Sequence, residues 1–374
     1  MKPPRLTWID YARGIAIILV AYRHNFEGLR ESGFPVGNYT ALEYANIFFF
    51  SFRMPLFFII SGIFVAGSLK KRGIADFIET KARTILYPYF VWGFLQLSLQ
   101  MIFSKYTNGH PTPFDYLHLF YLPRELAQFW YLYALFNVSV LYALGRRFLH
   151  LKPWHNIIIG LIFFCLSAYI YQENINTGFV FDILHNYIFY AMGDIISRVI
   201  TDRKNFRLFE SGKLLLGMLI LFIGAQTYFL MANLHHDTAK YMFVEYYQPF
   251  VFLLIAVIGC SFIINLTFVL QKKNVLKWLP ELGRHSLYIY VAHVIVFAFV
   301  RIILTKFLGI TNIPLILICG ITFGLIVPVL LYKLAAKMNM RWIFTLEKQA
   351  ENENHSSSVY IKPVPGSVTL DNKQ

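Results

Sequence analysis

The sequence predicts an all-helical, polytopic integral membrane protein. Hydrophobic residues make up 57% of its 374 residues and aromatic residues 18%, whereas charged residues make up only 14%. A soluble domain has roughly 25% charged residues, so this composition excludes a soluble globular protein. The apolar segments are continuous rather than alternating and are too long for barrel strands, so helices must satisfy the backbone in lipid.

The apolar segments give ten predicted spans. Their approximate boundaries are 12–29, 46–67, 84–103, 129–145, 155–171, 182–200, 213–232, 247–270, 286–305 and 313–336. The first and sixth spans are the weakest, because Arg13 and Asp194 lie inside them. The apolar run 14–22 lacks a small-residue cleavage site after it, so we expect an uncleaved span rather than a signal peptide.

The distribution of basic residues predicts the orientation. Lys and Arg number 34 against 20 for Asp and Glu, which gives a net charge of +14. With the N-terminus in the cytosol, 26 of the 34 basic residues fall in cytosolic segments. The positive-inside rule therefore predicts that both termini are cytosolic. It also accounts for the basic surplus without nucleic acid as a partner. We expect the membrane to be a bacterial inner membrane.

The chain is expected to form one membrane-embedded domain, residues 1–346, followed by a disordered cytosolic tail, residues 347–374. The tail is polar and lacks a helical period. The three cysteines, Cys165, Cys260 and Cys319, lie in apolar runs without paired spacing, which favours a role in the core.

Arg13 and His24 stand out, because a charged side chain within a span is costly and often functional. They are eleven residues apart, almost three helical turns, so both point to the same side of a helix and lie roughly 16 Å apart along it. Two interpretations are open. They form one functional stripe, or Arg13 anchors the helix at the interface and His24, beside Arg23, begins an outside loop.

Three further polar positions lie in apolar surroundings. Arg53 precedes Pro55, which interrupts the backbone hydrogen bonding of span two. Arg53 is either functional or an interface anchor or ion-pair partner, and His293 in span nine is either functional or a hydrogen-bonded core residue. Asp194 is expected to pair with Arg198 one turn later.

Asp10 is expected to be the N-cap of the first span. The triplet 235–237 (His-His-Asp) has no further ligands nearby, so no metal site is predicted. The chain has no GxSxG, Walker, HExxH or dinucleotide motif.

Five stretches in order resemble the membrane-bound acyltransferase 3 family. They are Ile9-Asp10 with Arg13-Gly14 and His24, Met54-Pro55-Leu56-Phe57-Phe58 with Ser61-Gly62, Arg83 with Pro88-Tyr89, Phe129-Trp130-Tyr131-Leu132, and Gly283 with Ser286-Leu287-Tyr288-Ile289-Tyr290 to His293. The resemblance covers about residues 5–340 and is nearest to the fucose 4-O-acetylase-like branch. Two positions depart from the pattern. Arg53 stands where that branch often has histidine, and Arg83 alone represents a pair of arginines.

The resemblance implies an O-acetyltransferase, an acyltransferase for groups other than aminoacyl groups. Such an enzyme moves acetyl from cytosolic acetyl-CoA, used as a co-substrate with no bound cofactor, to a hydroxyl of a cell-surface or lipid-linked glycan. Residues 1–346 would then be its acyltransferase domain, acting in polysaccharide modification. The alternative is a transporter or flippase for a lipid-linked sugar, although no internal repeat is visible.

The resemblance also implies roles for individual residues. His24 is the expected general base, and His293 is expected to orient the acceptor or to act as a second acid or base. Cations near the cytosol are expected to bind the acyl-CoA phosphates, and Arg53 to contact the oxyanion or the acceptor. Those cations are Arg13, Lys81 and Arg83.

Overall fold

The computed structural model describes residues 6–236 and 242–346, which are mostly helical and include no β-strand. This confirms the all-helical prediction. The predicted tail and Asp237 lie outside the described residues. The α-helices of the described part are α1 (Thr7–Glu31), α2 (Thr40–Phe48), α3 (Phe50–Ile63), α4 (Val65–Lys81), α5 (Tyr87–Ile102), α6 (His118–Tyr121), α7 (Trp130–Phe148), α8 (Pro153–Gln172), α9 (Phe179–Thr201), α10 (Phe206–Phe209), α11 (Gly212–His235), α12 (Phe243–Tyr247), α13 (Pro249–Lys273), α14 (Leu279–Arg284), α15 (Ser286–Ile302) and α16 (Ile313–Lys337).

Shorter helical segments join several of these helices. Short 3₁₀ segments cover Val36–Asn38, Pro113–Leu117, Pro123–Phe129, Arg203–Asn205 and Arg341–Ile343, and π-helical turns cover Ala82–Leu86 and Ile303–Phe307.

Eight helical segments of the described chain are long and apolar enough to cross a membrane. They are Thr40–Ile63, Val65–Ile102, Pro123–Phe148, Pro153–Gln172, Gly212–His235, Pro249–Lys273, Ser286–Phe307 and Ile313–Lys337. These match every predicted span except the first and sixth. Helices α1 and α9 occupy those two positions with 25 and 23 residues, and each carries charged side chains. The protein is therefore an integral membrane protein, and ten crossings with cytosolic termini remain predictions.

Segments predicted to lie on the same side of the membrane contact one another. On the predicted cytosolic side, the start of α1 binds the region after α13, and the end of the described chain binds the region before α5. The hydrogen bonds are Trp8 N–H to Gln271 Oε1 (2.6 Å), Tyr11 O–H to Val275 O (2.6 Å) and Leu346 N–H to Arg83 O (3.2 Å). On the other side, Arg30 pairs with Glu43 at 2.7 Å and Asn108 Nδ2 donates to Gly28 O at 3.0 Å.

Helix α1 lies inside the bundle, packed against α3, α13, α14, α15 and α16. Small side chains let its neighbours approach closely. A Cβ atom on Gly283 of α14 would overlap the backbone carbonyl of Asp10.

Helix α1 begins at Thr7, so the prediction that Asp10 is its N-cap is wrong. Asp10 lies within the first turn and is buried.

Helices α3 and α9 meet at a pair of glycines. A Cβ on Gly62 would overlap the carbonyl of Tyr190, and one on Gly193 would overlap the carbonyl of Ile59. The contact brings the two backbones together in the manner of small-residue interfaces in membranes.

The polar side of α9 faces α7. Asp194 accepts a hydrogen bond from Tyr142 O–H at 2.6 Å and lies 3.8 Å from Arg146 Nη1. The predicted pair with Arg198 is wrong, because the carboxylate of Asp194 is engaged by Tyr142 and Arg146 of α7, whereas Arg198 is exposed.

We predict that Gly62→Ala destabilises the protein by about 1–3 kcal/mol, because the added methyl group must separate α3 from α9. The control is Gly224→Ala in α11, where no described atom lies within 4 Å of the added Cβ. Thermal unfolding in detergent should show a lower midpoint for Gly62→Ala only. Equal midpoints for both variants would contradict the tight contact.

We predict that a cysteine at Lys71 is protected from an impermeant maleimide added to intact cells, whereas one at Lys105 is labelled. Both positions are exposed, but the charge distribution places them on opposite sides of the membrane. The background carries alanine at Cys165, Cys260 and Cys319. Labelling at Lys71 without permeabilisation would refute the predicted orientation.

Candidate active site

A cavity lies where α1, α3, α9 and α15 converge. Its wall combines charged groups with aromatic rings. The charged and titratable members are Arg23, His24, Arg53, Arg124, His185 and Glu245, and the aromatic members are Phe50, Trp130, Tyr246, Phe252 and Tyr290. Such a mixture of apolar surface and convergent polar groups is typical of ligand sites.

The structure brings His24 and His293 together, with 5.3 Å between ring centroids. Helix α1 continues to Glu31, so His24 lies within the helix and the outside-loop interpretation is wrong. His24 lines the cavity, whereas His293 is fully buried behind it. The sequence alone could not show that these two histidines are neighbours.

The hydrogen bonds of His293 fix the position of its proton. Its Nδ1 lies 3.0 Å from Ile289 O and 2.8 Å from Tyr290 O. Carbonyl oxygens only accept, so Nδ1 donates and the neutral ring carries its lone pair on Nε2. Nε2 has no hydrogen-bond partner among the described residues. His293 can therefore accept a proton or a hydrogen bond beside His24.

Arg53 is 2% exposed, which excludes the interface-anchor interpretation. Its Nη1 donates to Leu19 O at 3.3 Å and to Asn46 Oδ1 at 3.4 Å, and its guanidinium lies 5.3 Å from the centroid of Phe50. Asn46 in turn donates to Glu27 at 2.7 Å. Within the described chain, the Nη2 of Arg53 has no partner.

Two polar pairs in the same region were missed by the sequence analysis. The first is Arg124 with Asp182, whose carboxylate lies 2.7 Å from the guanidinium and is 1% exposed. The arginine also stacks on the rings of Trp130 and Phe181, at 5.1 and 4.8 Å from their centroids. Arg124 precedes a span and resembles an ordinary loop charge, so no sequence pattern predicts that it belongs to a site.

The second pair is His185 with Glu245, at 3.1 Å between Nε2 and Oε1. The hydroxyl of Ser167 donates to Phe164 O at 2.7 Å, so its oxygen can only accept from His185 Nδ1 at 3.2 Å. One further proton must then lie between His185 Nε2 and Glu245, because a lone pair facing a carboxylate would be repelled. The only sequence signal was the spacing of Asp182 and His185, one turn apart in the sixth span.

The cations expected at the donor end lie near the start of α1. Arg13 is close enough to Lys81 and Tyr131 to interact with both electrostatically, and Arg72 also influences Lys81. Lys81 Nζ lies 5.5 Å from the centroid of Phe77.

Arg83 is placed differently. It forms an ion pair with Glu79 at 2.6 Å and is partly exposed. Arg13 and Lys81 thus lie within electrostatic range of each other, whereas the guanidinium of Arg83 is engaged by a carboxylate one turn earlier.

Aromatic rings connect the two ends of α1. Tyr131, near Arg13, packs its ring 5.2 Å from that of Tyr290, and Tyr290 lines the cavity beside His24. No group of three metal-ligating side chains occurs in residues 6–236 and 242–346.

The fold and the site define an integral membrane protein with paired histidines at a polar cavity. The model of the acyltransferase 3 family, described as an acyltransferase domain, matches residues 6–333. The chain belongs to this family.

One curated relative is Protein 2 in the picA locus of Rhizobium radiobacter. It is 31% identical over 130 residues, which are 33% of this chain and 60% of the relative. The match thus spans less than two thirds of that protein's length. No solved structure matches the chain significantly.

Proposed function

We propose that the protein transfers an acetyl group from cytosolic acetyl-CoA to a hydroxyl of a cell-surface or lipid-linked glycan in a bacterial inner membrane. One observation carries the proposal. Helix α1 carries Arg13 at one end, within electrostatic range of Lys81, and His24 at the other end, next to His293 and at the cavity. The separation along the helix is roughly 16 Å, comparable to an extended pantetheine arm.

The donor end suits a polyanion. Arg13, Lys81 and Arg72 are like charges held near one another, and their repulsion would be offset by the phosphates of a coenzyme A thioester. Tyr131 and Tyr290 then lie along the path from these cations to the cavity. Bound there, the donor would present its thioester carbonyl near His24.

His24 is assigned the role of general base. It takes the hydroxyl proton as the acceptor oxygen attacks the thioester carbon, forming a tetrahedral oxyanion. Collapse breaks the carbon–sulfur bond, and the histidine returns the proton to the leaving thiolate. The products are an acetyl ester and free coenzyme A, and the enzyme is regenerated with no net change in its protonation.

Two neighbours assist this base. His293 has an Nε2 lone pair in its neutral ring, so it can accept a hydrogen bond from an imidazolium at His24 and stabilise that charge. Arg53 offers a buried N–H donor without a partner among the described residues, which can bind the oxyanion or the acceptor.

We predict that His24→Ala lowers the rate of acetyl transfer by ~10²–10⁴, the usual effect of losing a general base. His293→Ala should have a smaller effect if it only positions and stabilises His24. Purified full-length protein is incubated with labelled acetyl-CoA and envelope glycans, and free coenzyme A and labelled glycan are measured.

The control for this assay is His110→Ala, which removes an exposed histidine from a connection remote in sequence from both helices. If the unmutated protein leaves acetyl-CoA intact while moving a lipid-linked sugar across vesicles, the transport alternative holds. Normal turnover in His24→Ala together with an inactive His293→Ala would assign the base to α15.

We predict that Arg13→Ala raises KM for acetyl-CoA roughly ten- to one-hundred-fold, since a charge-assisted hydrogen bond contributes about 1.5–3 kcal/mol. KM for the acceptor should not change, because the cavity lies at the other end of α1. Steady-state kinetics against each substrate separates the two effects, and Arg203→Ala at an exposed cytosolic position is the control. An unchanged KM in folded Arg13→Ala would reduce Arg13 to an interface anchor.

A further inference from the structure

We propose that the cavity binds a neutral, hydroxyl-rich sugar ring and that Glu245, held by His185, is the residue that selects it. This inference rests on the proposed function, since the bound sugar would be the acceptor of the acetyl group. It adds the chemical class of that acceptor and a specificity-determining residue.

The first observation is a set of buried polar atoms without partners. Arg53 Nη2, Glu245 Oε2 and Asp182 Oδ2 have no hydrogen-bond partner within the described residues. Their residues are 2%, 8% and 1% exposed. Leaving a buried charged group unsatisfied is strongly unfavourable. Arg53 and Glu245 line the cavity, so their two atoms point to a ligand there, whereas Asp182 lies outside the lining.

The set contains both kinds of hydrogen-bonding group. The guanidinium atom of Arg53 can only donate, whereas the two carboxylate oxygens accept. A hydroxyl group donates one hydrogen bond and accepts others, so a ring with several hydroxyls matches Arg53 Nη2 and Glu245 Oε2 at once. A carboxylate or phosphate ligand would satisfy Arg53 but would be repelled by Glu245.

The second observation is the balance of charge around the cavity. Arg124 is already paired with Asp182, and Arg53 is linked through Asn46 to Glu27. Glu245 shares a proton with His185, as the hydrogen bonds of Ser167 require. Arg23 also lines the cavity, 4.7 Å from the centroid of Phe50, so these pairs do not balance every charge in the wall. Selection against an anionic sugar therefore depends on the carboxylate of Glu245, which lines the cavity.

The third observation is the aromatic surface beside these groups. Phe50, Trp130 and Tyr246 line the same cavity. Pyranose rings present C–H faces as well as hydroxyl edges, and aromatic side chains offer broad apolar surface with a specific geometry. The cavity therefore supplies surfaces for both parts of a sugar.

Glu245 is placed to discriminate between acceptors. It lies on the short helix α12, where His185 binds its Oε1 and Oε2 remains for a ligand. A site built to hydrogen-bond a substrate hydroxyl rejects analogues that lack it far more strongly than an apolar pocket rejects a missing methylene. Replacing the carboxylate should therefore weaken acceptor binding while leaving donor binding unchanged.

The test measures sugar binding to the full chain in lipid nanodiscs without acetyl-CoA. The probes are two matched pairs: methyl glucoside with methyl glucuronide, and methyl galactoside with methyl galacturonide. Each pair differs by a carboxylate in place of the neutral hydroxymethyl group. We expect at least one neutral glycoside to raise the thermal unfolding midpoint saturably, and its uronide to bind at least about ten-fold more weakly.

The variant arm compares Glu245→Gln with Glu173→Gln, which changes an exposed glutamate at the end of α8. Glu245→Gln should lower the affinity for the neutral glycoside about ten-fold or more, and Glu173→Gln should not change it. In the transfer assay, Glu245→Gln should raise KM for the acceptor with KM for acetyl-CoA unchanged. If Glu245 had only a structural role, Glu245→Gln would lower the unfolding midpoint without changing the ratio of the KM for the acceptor to the KM for acetyl-CoA.

Three results would overturn the inference: preferential binding of the uronides, no binding of any probe at 200 mM, or equal affinity in the unmutated protein and folded Glu245→Gln. The probe series on the unmutated protein remains informative even if Glu245→Gln does not fold. Because binding is measured without donor, glycoside binding in a protein that transfers no acetyl group would refute only the proposed function. Transfer to uronides alone would refute only this inference.

Discussion

The position of helix α1 depends on the high free energy of placing charged side chains in lipid. The helix carries Arg13, Arg23 and His24, and it is surrounded by α3, α13, α14, α15 and α16 rather than facing the bilayer. Small residues make this enclosure possible. Gly14 faces the backbone of Leu279, and Gly283 faces that of Asp10, so α14 can lie directly against α1.

Enclosing α1 requires partners for each polar group that enters the bundle with it. Toward the end of the helix, a chain of contacts runs from Arg53 through Asn46 to Glu27, and Arg30 joins Glu27 and Glu43. These groups neutralise one another within hydrogen-bonding distance. Two charged side chains with an atom that finds no partner among the described residues, Arg53 and Glu245, line the same cavity, where a substrate can relieve the unfavourable desolvation.

The sequence predicted most of the fold, because apolar runs of about 20 residues determine where membrane helices lie. The first and sixth segments were the weakest predictions, and the corresponding helices α1 and α9 carry the polar groups that make the site. Eleven-residue spacing also placed Arg13 and His24 on one helix. The polar side chains that α1 and α9 contribute to the site are the same ones that lower the hydropathy of these two segments.

The sequence could not predict contacts between helices. Pairing of His24 with His293 joins residues 269 positions apart, and Glu245 lies on a short helix whose charge resembles any loop carboxylate. The prediction of an ion-pair partner for Asp194 failed for the same reason. Spacing along one helix suggested Arg198, but the neighbouring helix α7 supplied Tyr142 and Arg146 instead. In each case, packing between helices determined which residues became partners.

Hydrogen bonding gives the two histidines beside the cavity opposite roles with respect to protons. Backbone carbonyls hold the proton of His293 on Nδ1 and leave Nε2 able to accept. Ser167 and Glu245 surround His185 so that a proton is retained between its Nε2 and the carboxylate. Acyl transfer to a hydroxyl needs a group that accepts a proton at the reacting oxygen and fixed groups that hold the remaining hydroxyls. In the proposed reaction, the His24–His293 side of the cavity is therefore where the proton is accepted, and the His185–Glu245 side is where the sugar is held.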